Sequence, residues 1–328
     1  MTDPTTAQRN DCGSKQSSAR SKIIPAFGCG IHALGGGDAA EVCTEPVEVT
    51  AAGANQVKRL IINSDDYGRT PDISRGIREA HLDGVVTSTT CMMNIPTTAN
   101  AVAMAVQETP RLGLGVHLVL TMGKPILSRA AVPSVVDENG NHFKYDPFIA
   151  NLTRLNVIEV KAEWRAQIEA FIRAAGRKPD HLDSHHHSSF FTPELFRGML
   201  ELAREYGCPV RNPIAYGGNS TAGMPGLAGS MQEHAPRLMK EFNPRRPDTI
   251  FVNFYDEGAT REELLDIFSK VAEGTSELMC HPGYVDDAFA KESSYNFQRE
   301  RELKILTDPA IQEAIQSQNI KLITFADL

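Results

Sequence analysis

The sequence lacks the patterns that identify several common protein classes. Its six cysteines include no C-x-x-C pair, which argues against a zinc ribbon or a thioredoxin-like redox site. No apolar run approaches the eighteen or so residues of a membrane-spanning helix, and the first residues show no basic stretch followed by an apolar core. We therefore expect a cytoplasmic protein without a membrane span and without a disulfide framework.

Positive charge is also in short supply. The 33 basic side chains are outnumbered by 41 acidic ones, so the net charge is −8. This balance does not favour broad electrostatic binding to nucleic acid or to anionic membranes. A neutral or cationic small partner fits better, and nothing in the composition decides whether the chain forms a homo-oligomer. With 41% hydrophobic residues in 328, the chain can build a sizeable core.

Residues 1–57 differ in composition from the rest of the chain. Ser, Thr, Ala and Gly dominate this segment, and Phe27 is its only aromatic residue. A segment with so little to bury is predicted to be a disordered or poorly ordered extension. We expect residues 58–328 to form a single catalytic domain.

From residue 58 onward, short apolar runs alternate with helical patterns. Strands are predicted at residues 58–63, 86–93, 114–121, 180–184, 209–212, 249–254, 277–281 and 321–325. Helices are predicted at residues 72–82, 98–108, 157–175, 193–206, 261–272 and 309–317. The alternation favours an α/β fold, a distorted (β/α) TIM-like barrel with mostly parallel strands. A doubly wound open sheet is the alternative, although no G-x-G-x-x-G follows the first strand.

Local signals refine this pattern. Thr192 is well placed to cap the helix that begins at Pro193. Pro, Gly and Asn are frequent in residues 122–150 and 213–248, which we predict to be long loops. Apolar side chains at spacings of four, four and three predict one buried face of the helix over residues 157–175, formed by Val160, Trp164, Ile168 and Phe171.

Four of the ten histidines lie within residues 181–187. If residues 180–184 form a strand, His181, Asp183 and His185 share one face. Neutral imidazole is a common ligand of zinc-like metals, and a nearby carboxylate such as Asp183 can hold the second ring nitrogen. The alternative is a polar strand end with solvated histidines.

Asp65 and Asp66 directly follow the first strand. Adjacent carboxylates repel each other unless a cation or a shared proton relieves them, and a metal ion does this well. One carboxylate could bind the metal while the other reaches its water. An ordinary acidic turn or a helix N-cap is the alternative interpretation.

Two single histidines lie on other predicted strands. His117 is surrounded by apolar residues, and His281 stands at a strand end that Pro282 terminates. A lone histidine in such surroundings is more often a hydrogen-bonded core residue than a ligand, so both interpretations stay open.

These stretches together resemble a known family. Residues 58–328 are similar, in order and spacing, to the YdjC-like carbohydrate deacetylases, which include chitooligosaccharide deacetylases. Ser64 and Tyr67 are departures, since the family more often has Ala and Phe there. The motifs that carry the resemblance are residues 62–68 (INSDDYG), 86–90 (VTSTT), 115–125 (GVHLVLTMGKP), 177–187 (RKPDHLDSHHH) and 279–282 (MCHP).

The resemblance implies a barrel-like fold and a function. It implies a divalent cation held by one aspartate and two histidines, which in this sequence are Asp66, His117 and His185. It also implies metal-assisted removal of an acetyl group from an N-acetylated sugar. Two imidazoles and a carboxylate suit Zn and similar ions, while the resemblance brings Mg into consideration. The ion is therefore expected to be Mg or Zn.

Hydrolysis of an acetamide also requires proton transfer. Asp65 is the candidate general base for the attacking water, and His281 is the candidate acid for the departing amine, because a histidine ordinarily titrates in the useful range. Arg211 is expected either to orient Asp65 or to bind a sugar hydroxyl, and Lys124 is a further substrate-binding candidate. Two alternatives remain: metal-dependent hydrolysis of a phosphoester or glycosidic bond, and a metal-dependent carbohydrate-binding or regulatory protein.

Overall fold

The computed structural model describes residues 57–214 and 227–328. The extension predicted over residues 1–57 lies outside them except for its last residue. In the described part, seven strands join one sheet through parallel ladders. They are β1 (Lys58–Tyr67), β2 (Ser88–Cys91), β3 (Gly113–Leu118), β4 (Leu182–Ser184), β5 (Thr249–Phe251), β6 (Gly274–Cys280) and β7 (Lys321–Leu322).

The order of the strands identifies the architecture. The sheet runs β4-β3-β2-β1-β6-β5, and β7 pairs with the beginning of β1. On one side of β1, the strands β2, β3 and β4 therefore lie in chain order. On its other side lie β6 and then β5, so the last strands of the series return to the first. A doubly wound sheet would reverse direction at a switch point instead. The sheet is a curled half-barrel, so the predicted distorted TIM-like barrel is confirmed and the doubly wound alternative is wrong.

The strand predicted at residues 209–212 is reduced to a single parallel bridge. Val210 pairs with Leu182 of β4, as the next strand of a barrel would. Pro209 has no N–H to donate, and Pro213 follows shortly after, so the ladder cannot extend.

Ten α-helices lie within the described residues. Those over residues 98–108, 157–175, 193–206 and 309–317 have their predicted bounds. The set is α1 (Pro71–Leu82), α2 (Thr98–Glu108), α3 (Tyr145–Ala150), α4 (Val157–Ala175), α5 (Pro193–Tyr206), α6 (Leu227–Phe242), α7 (Arg261–Lys270), α8 (Asp287–Glu292), α9 (Phe297–Leu306) and α10 (Pro309–Ser317). The predicted loops are partly wrong, since α3 and α6 lie within residues 122–150 and 213–248.

The local helix signals act as expected. The Thr192 hydroxyl accepts a hydrogen bond of 3.2 Å from the amide of Leu195 and so caps α5. The apolar face predicted for α4 is fully buried, and its members are Val160, Trp164, Ile168 and Phe171.

Alternate side chains of β1 enter different environments. Leu60 and Ile62 join the main hydrophobic core, whereas Ile61 packs with Ile323 and Phe325 on the opposite, inner face. Further along the inner face the residues become polar, and Asp65 lies near the carboxyl end of β1. The interior of the half-barrel is thus apolar at one end and polar where the strands end.

No helix among residues 57–214 and 227–328 is long and apolar enough to cross a membrane. Cys91, Cys208 and Cys280 are buried free thiols.

Candidate active site

A cavity of about 590 Å³ opens at the carboxyl ends of the strands. Active sites of TIM-like barrels occupy this face. The described residues that line it come from the ends of β1, β3, β4, β5 and β6, from the segments that follow these strands, from the connection between α8 and α9, and from α9 itself: Asp65, Asp66, Arg69, His117, Ser184, His185, His186, His187, Val252, Asn253, Tyr255, Asp256, Met279, His281, Ser293, Ser294, Tyr295 and Arg299.

Asp65 and Asp66 both face the cavity because the end of β1 is irregular. The register with β2 shifts between Ser64 and Tyr67, and Asp66 has a left-handed φ of 72°. In a regular strand, adjacent side chains would point to opposite faces. The irregularity turns both carboxylates towards the cavity. Neither is a helix cap, since Thr70 caps α1.

One oxygen and two nitrogens converge beside this irregularity. Asp66 Oδ1 lies 3.6 Å from His117 Nε2 and 3.1 Å from His185 Nδ1. The two nitrogens are 3.4 Å apart. A triangle with these sides has a point about 2 Å from each corner, which is the length of a bond from a metal ion to N or O ligands. Asp66 Oδ1 is buried and makes no hydrogen bond within the described chain, so the three groups fit a divalent cation.

A second group of possible ligands has a different environment. Asp65, His117 and Asp183 also lie close together. However, the Arg211 guanidinium donates bonds of 2.7 Å to both oxygens of Asp65 and lies 2.9 Å from Asp183. A fixed positive charge between these carboxylates already neutralises them and repels a further cation. The group containing Asp66 is therefore the better metal site.

The His117 ring is held on its other side. Its Nδ1 lies 2.6 Å from Asp183 Oδ1 and 3.2 Å from Thr90 Oγ1. Burial opposes protonation of His117, but the nearby carboxylates of Asp183 and Asp65 outweigh it and raise the pKa of His117. Asp183 is thus the carboxylate partner expected for a histidine ligand. It binds His117 of the neighbouring strand rather than one of the histidines next to it in the sequence.

Arg211 is completely buried. Besides Asp65 and Asp183 it reaches Glu277, to which its Nε donates a bond of 2.8 Å. Burial alone would raise the pKa of Asp65, but Arg211 lowers it well below its usual value. Of the two roles expected for Arg211, orientation of Asp65 fits this geometry. Binding of a sugar hydroxyl does not, because the guanidinium is enclosed by carboxylates.

Lys124 lies on the surface, outside the described wall of the cavity. Its carbonyl oxygen accepts a bond of 3.2 Å from Asn94 Nδ2. This position gives no support to its expected role in substrate binding.

His281 faces the same cavity as Asp65. Its Nε2 lies 3.9 Å from Asp65 Oδ2, and its backbone amide donates a 2.5 Å bond to Glu302. Burial lowers the pKa of His281 to about 4, although Asp65 opposes the shift. This low pKa differs from the titration near neutrality that the sequence led us to expect for His281, and it favours a neutral imidazole at neutral pH.

The second oxygen of Asp66 binds two arginines that the sequence analysis missed. Asp66 Oδ2 accepts bonds of 2.5 Å from Arg299 and 3.3 Å from Arg69. Burial opposes ionisation of Asp66, but Arg299 and then His185 lower its pKa well below its usual value. Arg299 is 233 residues away from Asp66 along the chain, and no local pattern indicates the pairing.

The four clustered histidines have different environments. His181 stacks on Phe325 with ring centres 3.7 Å apart, inside the barrel. His186 and His187 have left-handed φ values of 53° and 54°, and His186 Nδ1 lies 3.0 Å from Thr121 Oγ1. Only His185 of these four approaches Asp66 as a possible ligand. Strained backbone of this kind is common where a chain must aim a side chain at a site.

Known proteins match this chain over most of its length. A family model described as YdjC-like protein matches residues 59–317, which include the whole described wall of the cavity. A carbohydrate deacetylase from Enterococcus faecalis is 38% identical over 276 residues, covering 83% of this chain and 98% of the relative. A chitooligosaccharide deacetylase from Yersinia enterocolitica is 32% identical over 273 residues, which cover 82% of this chain and 99% of the relative. The crystal structure of an Enterococcus faecalis protein, described as a cellobiose-phosphate cleavage protein, matches with 37% identity and a TM-score of 0.73. The match covers 83% of this chain and 98% of that one.

Proposed function

The chain belongs to the YdjC-like family, and on this premise we propose that it is a carbohydrate deacetylase that removes acetyl groups from N-acetylated sugars. The observation that carries the proposal is the convergence of Asp66, His117 and His185 beside the cavity. A cavity of about 590 Å³ falls within the range that holds small ligands. An oligosaccharide or glycoconjugate containing N-acetylglucosamine is the substrate class we propose.

We assign the catalytic domain to residues 58–328. Every residue that the proposal uses lies in this range. Removal of residues 1–55 should therefore leave the melting temperature and the turnover nearly unchanged. A large fall in either would show that the extension belongs to the catalytic unit.

Asp66, His117 and His185 would hold a divalent cation through Oδ1, Nε2 and Nδ1. When bound there, such an ion polarises the acetyl carbonyl and lowers the pKa of water. Arg299 and Arg69 fix the other oxygen of Asp66, so that Oδ1 stays directed at the two imidazoles. The two nitrogen donors favour Zn over Mg, which prefers oxygen ligands only.

Asp65 and His281 would move the proton. Arg211 keeps Asp65 ionised and fixes both of its oxygens, so the carboxylate is ready to accept a proton from water. His281 is neutral at rest and must gain a proton before it can protonate the leaving amine. Asp65 Oδ2 lies 3.9 Å from its Nε2, and His281 holds a proton more tightly than Asp65 does. We therefore propose that Asp65 accepts the proton and that His281 delivers it to the amine.

The site fits hydrolysis of a glycosidic bond less well. A glycosidase needs two carboxyl groups on either side of the scissile bond, roughly 5 Å or more apart. Asp65 and Asp66 are adjacent in the chain, and each is already bound by an arginine.

Product analysis tests the proposal. Incubation with N-acetylglucosamine oligomers should release free acetate while the chain length of the oligomer is preserved. Shortened oligomers or released phosphate would indicate the alternative hydrolases instead. Asp65→Asn should abolish acetate release while the affinity for the sugar is kept. A protein that only binds sugar would instead bind the oligomer and release no acetate even as the wild type.

A further inference from the structure

Two tyrosines from different segments stack at the edge of the cavity. Tyr255 follows β5, and Tyr295 lies between α8 and α9. Their ring centres are 4.3 Å apart and their planes differ by 2°. Both line the cavity, but Tyr295 is only 8% exposed, whereas Tyr255 is 43% exposed. The Tyr255 ring, which Tyr295 supports from behind, is therefore the one that a ligand in the cavity can contact.

Hydrogen bonds connect this stack to the proposed proton donor. The Tyr295 hydroxyl donates to Glu302, which also accepts the 2.5 Å bond from the His281 backbone amide. The His281 ring lies edge-on to both tyrosines, with ring centres 5.5 Å from Tyr255 and 5.6 Å from Tyr295. The position of the aromatic ring is thus set relative to the atom that would protonate the amine.

The segment that carries Tyr255 is also held in place. The next residue, Asp256, has a left-handed φ of 53°, and its amide donates a 3.2 Å bond to the Tyr295 hydroxyl. Its Oδ1 accepts a 2.8 Å bond from Gln298 Nε2. A residue without glycine's freedom adopts this backbone only where surrounding contacts enforce it. These contacts keep Tyr255 at the cavity edge rather than leaving it on a free loop.

A half-exposed tyrosine ring beside polar catalytic groups suits a sugar ring. The face of an aromatic ring carries partial negative charge, which attracts the weakly positive C–H groups on one face of a pyranose. We propose that Tyr255, supported by Tyr295, is the platform on which the pyranose that carries the acetamido group stacks. This inference rests on the proposed deacetylase function and names a binding residue for it. The acetamido group would then extend from the platform towards His281 and Asp65.

Steady-state kinetics with N,N′-diacetylchitobiose tests the platform. In the metal-loaded full chain, Tyr255→Ala should raise KM about tenfold and leave kcat within about threefold. The reason is that the lost contact would stabilise the bound substrate and the transition state equally. Tyr255→Phe keeps the ring and should keep KM. Phe297→Ala is the matched control, since Phe297 is an exposed aromatic residue (69%) outside the described cavity wall. The melting temperature of each variant shows whether it is folded.

Binding measured without turnover separates this inference from the proposed function. In an Asp65→Asn background, calorimetric titration with the same disaccharide should show Kd about tenfold weaker after Tyr255→Ala and unchanged after Phe297→Ala. Unchanged Kd and KM in folded Tyr255→Ala, or an equal loss in Phe297→Ala, would overturn the platform. If the wild-type chain binds the disaccharide but releases no acetate, the proposed function fails, and the binding titration still decides on the platform.

Discussion

Asp183 Oδ1 lies 2.6 Å from Nδ1 of His117 and fixes the tautomer that leaves Nε2 facing Asp66. Partners of this kind raise ligand basicity and hold the ring at the correct angle. Asp183→Asn should therefore weaken metal binding by about 10- to 100-fold without unfolding the chain. Competition with a fluorescent chelator measures this affinity. The surface substitution Asp72→Asn should leave it unchanged, and equal affinities for all three proteins would contradict the proposed role of Asp183.

The imidazoles of His117 and His185 supply two of the three proposed ligands. Alanine at either position leaves a two-ligand site, so we expect loss of stoichiometric metal together with loss of acetate release. His234 lies on α6 and belongs neither to the described cavity wall nor to the group of possible ligands, so His234→Ala is the matched control. Metal analysis of the purified proteins measures the effect. Full metal occupancy in both His117→Ala and His185→Ala would refute the proposed ligand set.

His281 is proposed to act on the proton and not on the metal. His281→Ala should keep bound metal and lower kcat by about 10² to 10⁴, the usual range for loss of a general acid or base. Its hydrogen bond to Glu302 uses the backbone amide and should persist in the variant. Parallel measurements of kcat and metal content test this. Wild-type kcat in the variant would exclude His281 as the proton donor.

Glu302 should make stability depend on pH. Burial raises its pKa from 4.5 to about 7. Between these values the unfolded chain has lost a proton that the folded chain keeps, so the free energy of unfolding falls as pH rises, by about 3 kcal/mol at most. Above pH 7 this contribution is constant. Glu302→Gln imitates the protonated form, so the variant lacks this fall in the free energy of unfolding. Its stability relative to wild type should therefore increase between about pH 5 and pH 8.

Urea unfolding at pH 5 and pH 8 measures this difference. Glu277, whose pKa burial also raises to about 7, is present in both proteins, so its effect cancels when they are compared. Glu300→Gln on the exposed side of α9 is the control and should show the same difference from wild type at both pH values. A pH-independent difference for Glu302→Gln would show that Glu302 is ionised in the folded chain at pH 5.

The barrel was predictable because its strands and longer helices follow regular patterns. The helix α4 has one continuous apolar face, and Thr192 with Pro193 marks the start of α5. The helix α9 was missed because charged residues interrupt its buried apolar face. It exposes Phe297 and buries Arg299 and Glu302 beside Leu303 and Leu306, since Arg299 binds Asp66 and Glu302 binds the backbone of His281.

The site was only partly predictable for a similar reason. Asp65, Asp66, His117, His185 and His281 occupy motifs, so their residue types and positions at strand ends pointed to a common edge. Their environment depends on distant partners: Arg211 at Asp65, Arg299 at Asp66 and Glu302 at His281. The left-handed backbone at Asp66, which brings both aspartates to one cavity, also has no signal in the residue types around it. The low pKa of His281 follows from burial, which local sequence does not determine.

Metal-dependent deacetylation is best tested by acetate release from N-acetylglucosamine oligomers before chelation, after chelation, and after one divalent metal at a time is returned. We predict that activity disappears with the chelator and returns with one equivalent of a suitable ion per chain. The same ion should not restore His117→Ala or His185→Ala. Undiminished acetate release from chelated, metal-free wild-type protein would contradict the claim that Asp66, His117 and His185 work through a bound cation.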